Sequence, residues 1–158
     1  GEAVRQASFN GVSIMTGTGY VSANFSAWGG FATTILLIVM FIGGCGGSTT
    51  CGIKVFRLQV LASTAKVQIS RLLRPHAVLL AYYNKRPVSV EVMDSVMGFF
   101  YLFILGFVLI AIMLGMAGLD FVTALSGAAT SISNVGPGLG EVIGADGNFS
   151  TLPDSAKW

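Results

Sequence analysis

Ten residues at positions 43–52, half of them glycine, follow directly on a strongly apolar run at positions 31–42. This glycine-rich stretch consists of Gly43, Gly44, Cys45, Gly46, Gly47, Ser48, Thr49, Thr50, Cys51 and Gly52. Glycine destabilises a helix by about 1 kcal/mol per residue relative to alanine, so a helix that enters the stretch is expected to end there. In hydrocarbon, broken backbone persists only inside protein or beside a water-filled cavity. If the apolar run crosses a membrane, the glycine-rich stretch therefore lines a path through it.

The composition indicates a membrane protein. Only 10% of the 158 residues are charged and 53% are hydrophobic, whereas a soluble domain is about one quarter charged. The charges are clustered, because none occurs at positions 6–53, 95–119 or 121–140. A net charge of +2 gives no support to nucleic-acid binding. The chain has neither an initiator methionine nor a secretory-signal pattern, and we expect it to be an internal piece of a longer membrane protein.

Two segments are candidates for membrane spans. The first, at 28–44, falls slightly short of the roughly 20 residues that a helical span needs, so we expect the glycine-rich stretch to complete the crossing. Trp28 suits the membrane interface. The second, at 95–119, contains no charge. Glu91 and Asp94 lie just before it, where acids favour the positive end of a helix dipole.

The segment between the two spans carries most of the positive charge. Positions 54–86 contain seven of the nine lysine and arginine residues and no acid. The positive-inside rule places this segment in the cytoplasm. Within it we predict a helix at Val55–Leu73. Arg74-Pro75 and Arg86-Pro87 are natural stops, because the residue before proline avoids helical backbone.

Two shorter segments are each followed by a glycine-containing turn. The first, at 2–15, is too short and too polar to span a membrane and precedes Thr-Gly-Thr-Gly-Tyr at 16–20. The second is a helix predicted at 121–132 with Asp120 as its N-terminal cap, and it precedes Ser-Asn-Val-Gly-Pro-Gly at 133–138. Both turns fall on the outer side of the predicted topology.

The two turns are also related by their positions in the chain. A shift of 117 positions aligns three pairs of residues: Gly17 with Asn134, Thr18 with Val135 and Gly19 with Gly136. The C-terminus of each preceding helix is partly negative, and rings of backbone carbonyls can replace the hydration shell of a potassium ion. Thr-Gly-Thr-Gly-Tyr resembles a filter strand of a potassium channel, and the second turn resembles one loosely. The pair of turns predicts a cation pathway.

Three motifs together resemble the TrkH-type potassium uptake proteins. Residues 43–55 are similar to the broken inner helix of that family, residues 131–140 are similar to its fourth filter loop, and Arg86-Pro87-Val88 ahead of the second span also fits. The motifs occur in the family's order, and the resemblance runs essentially from end to end. It implies an all-α membrane protein built of helix–pore loop–helix repeats of the potassium-channel-like type. The chain would hold part of that fold, namely the third and fourth repeats.

The resemblance implies a division into six segments and a location for them. The segments are the third pore helix and filter loop (1–27), an inner helix broken at 43–52 (28–74), a cytoplasmic connector (75–94), the outer transmembrane helix of the fourth repeat (95–119), the fourth pore helix and filter loop (120–140) and an extracytoplasmic segment (141–158). The protein would lie in the inner membrane of a bacterium as a multi-pass protein. Its filter loops would be periplasmic, and positions 54–86 would be cytoplasmic.

The resemblance also implies roles for individual residues. Gly19 and Gly136 would be the shared filter glycines of the two repeats. The transported potassium ion would be coordinated by the carbonyl groups of Gly17, Thr18, Asn134 and Val135. The glycine-rich stretch would act as a gate below this filter. The chain departs from the expected pattern at Gly17, Cys45 and Cys51.

The implied partners are a second copy of the protein, in a homodimer, and a cytoplasmic nucleotide-binding ring of the TrkA type. Membrane lipid is a further partner, whereas nucleic acid is not. The transported potassium ion is the implied ligand, and no covalently bound cofactor is implied. The first two repeats and the last inner helix are absent, so this piece is not expected to form a pore by itself.

Two other functions remain open from the residues alone. One is a carrier for a small cation with broken helices at a mid-membrane site, and the other is a structural membrane subunit that conducts nothing. A carrier places its breaks at mid-membrane, whereas here two breaks follow outer half-helices. We exclude an enzyme, because no catalytic constellation occurs and the glycine-rich stretch lacks the Gly-Lys-Ser/Thr ending of a phosphate loop.

Several single residues have simpler interpretations. Lys54 is either a charge linked to the gate or an anchor at the inner interface, and the anchor is favoured because lysine commonly snorkels at helix ends. The basic cluster at 66–74 contacts either the cytoplasmic partner or lipid headgroups and solvent, and we favour lipid or solvent. We interpret His76 as solvated. Cys45 and Cys51 are interpreted as small loop residues, since two ligands do not make a metal site. Asn-Phe-Ser at 24–26 and 148–150 matches the glycosylation acceptor pattern, and we interpret both matches as chance.

Overall fold

Helices make up most of the chain in the computed structural model, which describes residues 1–48, 50–74, 77, 79–140 and 142–157. The helices are α1 (Glu2–Thr16), α2 (Gly30–Phe41), α3 (Val55–Leu73), α4 (Val90–Met116), α5 (Phe121–Ser133) and α6 (Asp154–Lys157). Short 3₁₀ turns lie at Phe25–Trp28 and Phe149–Thr151, and the strands are β1 (Tyr82–Tyr83) and β2 (Arg86–Pro87). The predictions for Thr49, Pro75, His76, Glu141 and Trp158 fall outside the described residues.

Among the described residues, α4 is the helix that is long and apolar enough to cross a membrane. It has 27 residues and a mean hydropathy of 2.7, and 6% of its most apolar part is buried within the chain. It begins earlier than the predicted span at 95–119, because the Ser89 hydroxyl accepts a hydrogen bond from the backbone N–H of Val92 and caps the helix. Glu91 lies in its first turn, as the helix dipole favours.

The first predicted span is shorter than expected. α2 contains 12 residues, so its length is about 18 Å, compared with the roughly 30 Å of a hydrocarbon core. Trp28 belongs to the preceding 3₁₀ turn, and the backbone leaves the helix at Ile42, which is extended. The helical part of the candidate span at 28–44 is therefore confined to Gly30–Phe41, because Trp28 lies in the 3₁₀ turn and the backbone becomes extended before the glycine-rich stretch begins.

The basic segment contains one predicted element and one that was not predicted. The helix predicted at Val55–Leu73 is confirmed as α3. After it, β1 and β2 form an antiparallel hairpin, with Tyr83 opposite Arg86. Asn84 and Lys85 both have positive φ, at 47° and 62°, as a two-residue hairpin turn requires. Asparagine at the first turn position was the available signal, and the all-α prediction did not use it.

α5 is the most buried helix of the chain, and its small residues allow this. Ala128 and Ala129 have no exposed surface, and the helix packs against both α4 and α2. The core consists of Ile14, Phe25, Leu36, Met40, Ala129, Val135 and Leu139. Val135 lies in the second glycine-containing turn, so that turn is held by the core of the chain.

The cap predicted at Asp120 is confirmed. Its carboxylate accepts hydrogen bonds from the N–H groups of Val122 and Thr123 at 3.1 and 3.2 Å. A hydrogen bond from the Thr123 side chain lowers the pKa of Asp120 from its ordinary value of 3.8. Burial opposes this shift, and backbone hydrogen bonds from Thr123, Val122 and Asp120 lower the pKa further. The cap therefore stabilises the fold above the ordinary pKa, and this contribution is lost as the pH falls through the lowered one.

Replacing Asp120 by alanine is expected to lower the stability of the full-length protein by about 1 kcal/mol at neutral pH, since alanine cannot accept these hydrogen bonds. Asp120→Asn is the matched control, because asparagine caps helices equally well. Thermal unfolding in detergent measures both. Equal losses for the two variants would show that the carboxylate acts by its charge and not as a cap.

Candidate functional site

The first glycine-containing turn is held by hydrogen bonds to the end of α1. α1 ends at Gly17, which is left-handed with φ 70°. The carbonyl of Ser13 accepts the N–H groups of Thr18 and Gly19 at 3.0 and 3.3 Å. The Ser13 hydroxyl donates to the carbonyl of Tyr20 at 2.7 Å. The N–H groups of the turn therefore bond back to the helix, which fixes the conformation of the turn.

The second turn is built in the same way on α5. Asn134 ends the helix in the left-handed conformation with φ 52°. The N–H of Val135 donates to the carbonyl of Thr130 at 3.1 Å, and the N–H of Gly136 donates to the Thr130 hydroxyl at 2.9 Å. Each turn thus has a left-handed cap followed by amides that bond to a residue one helical turn back.

Sequence reasoning missed the side chains that hold these turns. Ser13 and Thr130 are related by the same shift of 117 positions that aligns the glycines, and both are buried. A hydroxyl residue four positions before each left-handed cap was the signal. Asn10, also fully buried, exchanges two hydrogen bonds of 3.0 Å with Ser22 and fixes the far end of the first turn.

The structure brings the two turns into direct contact. A Cβ atom placed on Gly19 would lie 2.6 Å from the carbonyl oxygen of Val135. On Gly17 it would lie 3.5 Å from the carbonyl oxygen of Asn134, and on Gly136 it would lie 3.9 Å from the Cα of Gly19. Gly19 has φ 76° and Gly136 has φ 110°, a region that side chains disfavour. Glycine is therefore required here both for conformation and, at Gly19, for space.

The loops that follow the two turns are also joined. The Asn24 side-chain amide donates to the carboxylate of Asp146, and the Ser26 hydroxyl donates to the carbonyl of Gly140 at 3.0 Å. Both Asn-Phe-Ser tripeptides form capped 3₁₀ turns, in which Asn24 accepts the N–H of Ser26 and Asn148 accepts the N–H of Ser150. The repeated tripeptide thus has a structural role after each turn.

The glycine-rich stretch forms a loop whose two ends are fastened together. The N–H of Gly43 donates to the carbonyl of Ile53 at 2.9 Å, and the N–H of Ile53 donates to the carbonyl of Phe41 at 2.7 Å. Ile42 and Ile53 form a parallel bridge, so the chain runs in the same direction on both sides of this junction. We call the junction, formed by residues 41–44 and 52–55, the neck of the loop. A Cβ atom on Gly43 would lie 2.7 Å from the backbone of Gly52, which explains glycine at both positions.

Inside the loop, a tight turn is stabilised by Lys54. The hydroxyl and the N–H of Ser48 both donate to the carbonyl of Cys45, at 2.7 and 3.0 Å. The Lys54 ammonium donates to the carbonyl of Ser48. The structure therefore places the Lys54 side chain on the backbone of the glycine-rich stretch. Gly47 has φ 90°, and Thr49 lies outside the described residues.

The loop also touches both glycine-containing turns. The Thr50 hydroxyl donates to the carbonyl of Thr16 at 3.4 Å, and its methyl carbon lies 3.9 Å from the Cβ position of Gly17. The side-chain amide of Asn134 lies 4.0 Å from the sulfur of Cys51, within hydrogen-bonding distance for sulfur. The loop and the two turns are therefore parts of one site.

The electrostatics at the two turns come from the backbone. The C-termini of α1 and α5, which carry partial negative charge, lead directly into the two turns. Within the described ranges, no group of three or more histidine, cysteine or acidic side chains is placed to hold a metal ion. The candidate cation ligands are thus carbonyl groups, which suit a weakly bound ion that has to pass through.

Comparisons with known proteins connect this geometry to one family. The TrkH family model, described as a cation transport protein, matches residues 1–157. The Trk system potassium uptake protein TrkI of Halomonas elongata is 46% identical over 97% of this chain and 31% of its own length. The Trk system potassium uptake protein TrkH of Vibrio parahaemolyticus is 38% identical over 99% of this chain and 32% of its own length. The chain spans about a third of the length of these relatives.

A solved structure shares the fold. The crystal structure of the potassium transporter TrkH from Vibrio parahaemolyticus matches 92% of this chain and 30% of its own, with a TM-score of 0.82 and 36% identity. The mostly helical architecture is therefore that of a known transporter.

Proposed function

Because the chain belongs to the TrkH family of cation transport proteins, we propose that it forms part of the ion pathway of a potassium uptake protein. Members of the family are transporters and not enzymes. The relatives that match nearly all of the chain are named for potassium uptake. The single observation that carries the proposal for this chain is the contact between its two glycine-containing turns, each at the C-terminus of a helix too short to span a membrane.

In the proposed mechanism, the turns are a selectivity filter. The carbonyl groups of Gly17, Thr18, Asn134 and Val135 replace water around the ion, as carbonyl rings do in potassium channels. Gly19 and Gly136 let the two backbones approach closely enough for both sets of carbonyls to meet one ion. The buried hydroxyl groups of Ser13 and Thr130 hold the turns in place while the ion passes.

The glycine-rich stretch is the proposed gate. It is closed at its neck, lies against both turns and is stabilised by Lys54 on the carbonyl of Ser48. A loop of glycine and small residues can move without disturbing a packed core, because it has few apolar contacts to lose. Displacement of this loop would open the path beneath the filter.

The assembly and location belong to the same proposal. We assign the chain to the third and fourth repeats of a longer protein in the inner membrane of a bacterium, with the turns periplasmic and positions 54–86 cytoplasmic. The apolar length of α4 supports a membrane location, and the basic charge of positions 54–86 supports the orientation. A homodimer, lipid and a TrkA-type nucleotide-binding ring are the proposed partners.

Replacing Gly136 by serine in the full-length protein is expected to reduce the preference for potassium over sodium. Serine disfavours φ near 110°, and strain of this kind costs about 1–3 kcal/mol unless the backbone moves. Uptake of the two ions by reconstituted vesicles measures the ratio. Gly118→Ser is the matched control, since Gly118 has φ 90° and open space around it but lies outside the turns. An unchanged ratio in Gly136→Ser would refute the filter assignment.

A further inference from the structure

A row of aromatic side chains on α4 contacts the end of α2, where the neck of the glycine-rich stretch begins. Phe103 and Phe107 lie edge-on to Phe41, with ring centroids 6.0 and 5.1 Å apart. Phe41 is the last residue of α2, and its carbonyl accepts the N–H of Ile53 in the neck. The end of α2 that leads into the neck therefore packs against α4.

Arg57 makes the corresponding contact from the α3 side of the neck. Its guanidinium carbon lies 4.0 Å from the ring centroid of Phe99 on α4 and 5.2 Å from that of Phe56. Phe99 contacts Phe103 at 5.7 Å, so both sides of the neck join one row. Phe56 also approaches the loop itself, since a Cβ atom on Gly46 would lie 3.7 Å from its ring.

We propose that this row is a brace that holds the gate closed, with Arg57 as the positioning residue that ties the start of α3 to α4. The inference rests on the proposed gating role of the glycine-rich stretch and adds what keeps that stretch in place. Cation–π attraction strengthens as the pair is shielded from water, and Arg57 is half-buried. Edge-to-face ring pairs add a preferred geometry.

The brace matters because the neck itself is weak. Three backbone hydrogen bonds join its sides: from Gly43 to Ile53, from Ile53 to Phe41 and, at 3.3 Å, from Val55 to Gly44. α4, by contrast, is an unbroken helix of 27 residues. If α3 moves relative to α2 and opens the loop, Arg57 must therefore either leave Phe99 or shift its position along α4. The energy of this contact sets part of the balance between closed and open states.

The test measures potassium flux through the full-length protein in liposomes without a cytoplasmic partner. Arg57→Gln is expected to raise this flux about tenfold, equivalent to about 1.4 kcal/mol. Phe99→Leu, which removes the ring and keeps apolar bulk, is expected to have a similar effect. The double variant should exceed neither single variant by much, because both remove the same contact.

Conservative variants and matched controls separate the brace from general damage. Arg57→Lys keeps the cation and Phe99→Tyr keeps the ring, so both variants are expected to retain most of the low potassium flux of the unaltered protein. Arg74→Gln removes an exposed arginine at the other end of α3, and Phe31→Leu removes an exposed ring from α2. Neither control is expected to change the flux, and the preference for potassium should persist in all variants.

The results also distinguish failure of the brace from failure of the gate. If Arg57→Gln and Phe99→Leu leave the flux unchanged while deletion of residues 45–51 raises it, the brace is wrong and the gate stands. If the deletion also leaves the flux unchanged, the gating role itself is wrong. If Arg57→Gln does not fold, Phe99→Leu paired with Phe99→Tyr decides. Additive increases in the double variant would show that Arg57 and Phe99 do not act as a unit.

Discussion

Deletion of residues 45–51 from the full-length protein is expected to raise potassium flux about tenfold or more, which corresponds to at least about 1.4 kcal/mol. The loop lies against both glycine-containing turns, so its removal would clear the path beneath them. The deletion also opens the neck, because the parallel bridge between Ile42 and Ile53 cannot be closed by the three residues that remain between them, Gly43, Gly44 and Gly52. The turns themselves are held by Ser13 and Thr130, so the preference for potassium over sodium should largely persist.

A smaller change tests the same gate without removing residues. Lys54→Gln weakens the hydrogen bond to the carbonyl of Ser48, and bonds to charged groups contribute about 1.5–3 kcal/mol when shielded from water. Lys54 is only half-buried, so we expect a rise in flux of a few-fold. Lys66→Gln is the control, because Lys66 is exposed on α3. The potassium flux into liposomes is measured for the unaltered protein, Lys54→Gln and Lys66→Gln.

Two outcomes would contradict this account of the glycine-rich stretch. If the deletion gives no rise in flux, the stretch is not the barrier. If flux rises and the preference for potassium disappears together with the loop, the loop belongs to the filter, and the assignment of selectivity to the turns is incomplete.

Gly19→Ala is expected to impair the filter more severely than Gly136→Ser, with a loss of about tenfold or more in the preference for potassium. The alanine Cβ would lie 2.6 Å from the carbonyl oxygen of Val135, and no rotation of a side chain relieves contact with backbone. The left-handed region adds roughly 1–2 kcal/mol of strain. The two turns must therefore separate, which would widen the proposed ring of carbonyl groups. The nearest atom to a Cβ on Gly136 is 3.9 Å away, so a substitution there causes backbone strain but no steric clash of Cβ.

Gly29→Ala is a control that introduces backbone strain without a steric clash of the new Cβ atom. Gly29 also has positive φ, at 89°, but nothing lies within 4 Å of its Cβ position, and it is outside the turns. Potassium and sodium uptake by the two variants gives the comparison. Equal ratios for Gly19→Ala and unaltered protein would show that the contact between Gly19 and Val135 is not part of the filter.

Elements with local signals were predictable. Helix α3 follows from its composition and the proline after it, and the start of α5 follows from Asp120, whose carboxylate caps it. The charge-free segment predicted α4, although its cap at Ser89 extends the helix beyond the charge-free residues. α2 was overestimated, because apolarity does not show where the backbone leaves the helix. The hairpin at Tyr82–Tyr83 and Arg86–Pro87 was missed, since its pairing depends on a turn of two residues.

The sequence by itself determined where the backbone breaks, because glycine acts on its own φ and ψ wherever it stands. It therefore located the two turns and the glycine-rich stretch. Only the tertiary structure decided which breaks meet: Gly19 against Val135, and Thr50 against Thr16. These contacts join residues far apart in the chain, and they depend on how α1, α2 and α5 pack. Composition and spacing carry no record of that packing, so the contact between the glycine-rich stretch and the two turns is a property of the fold.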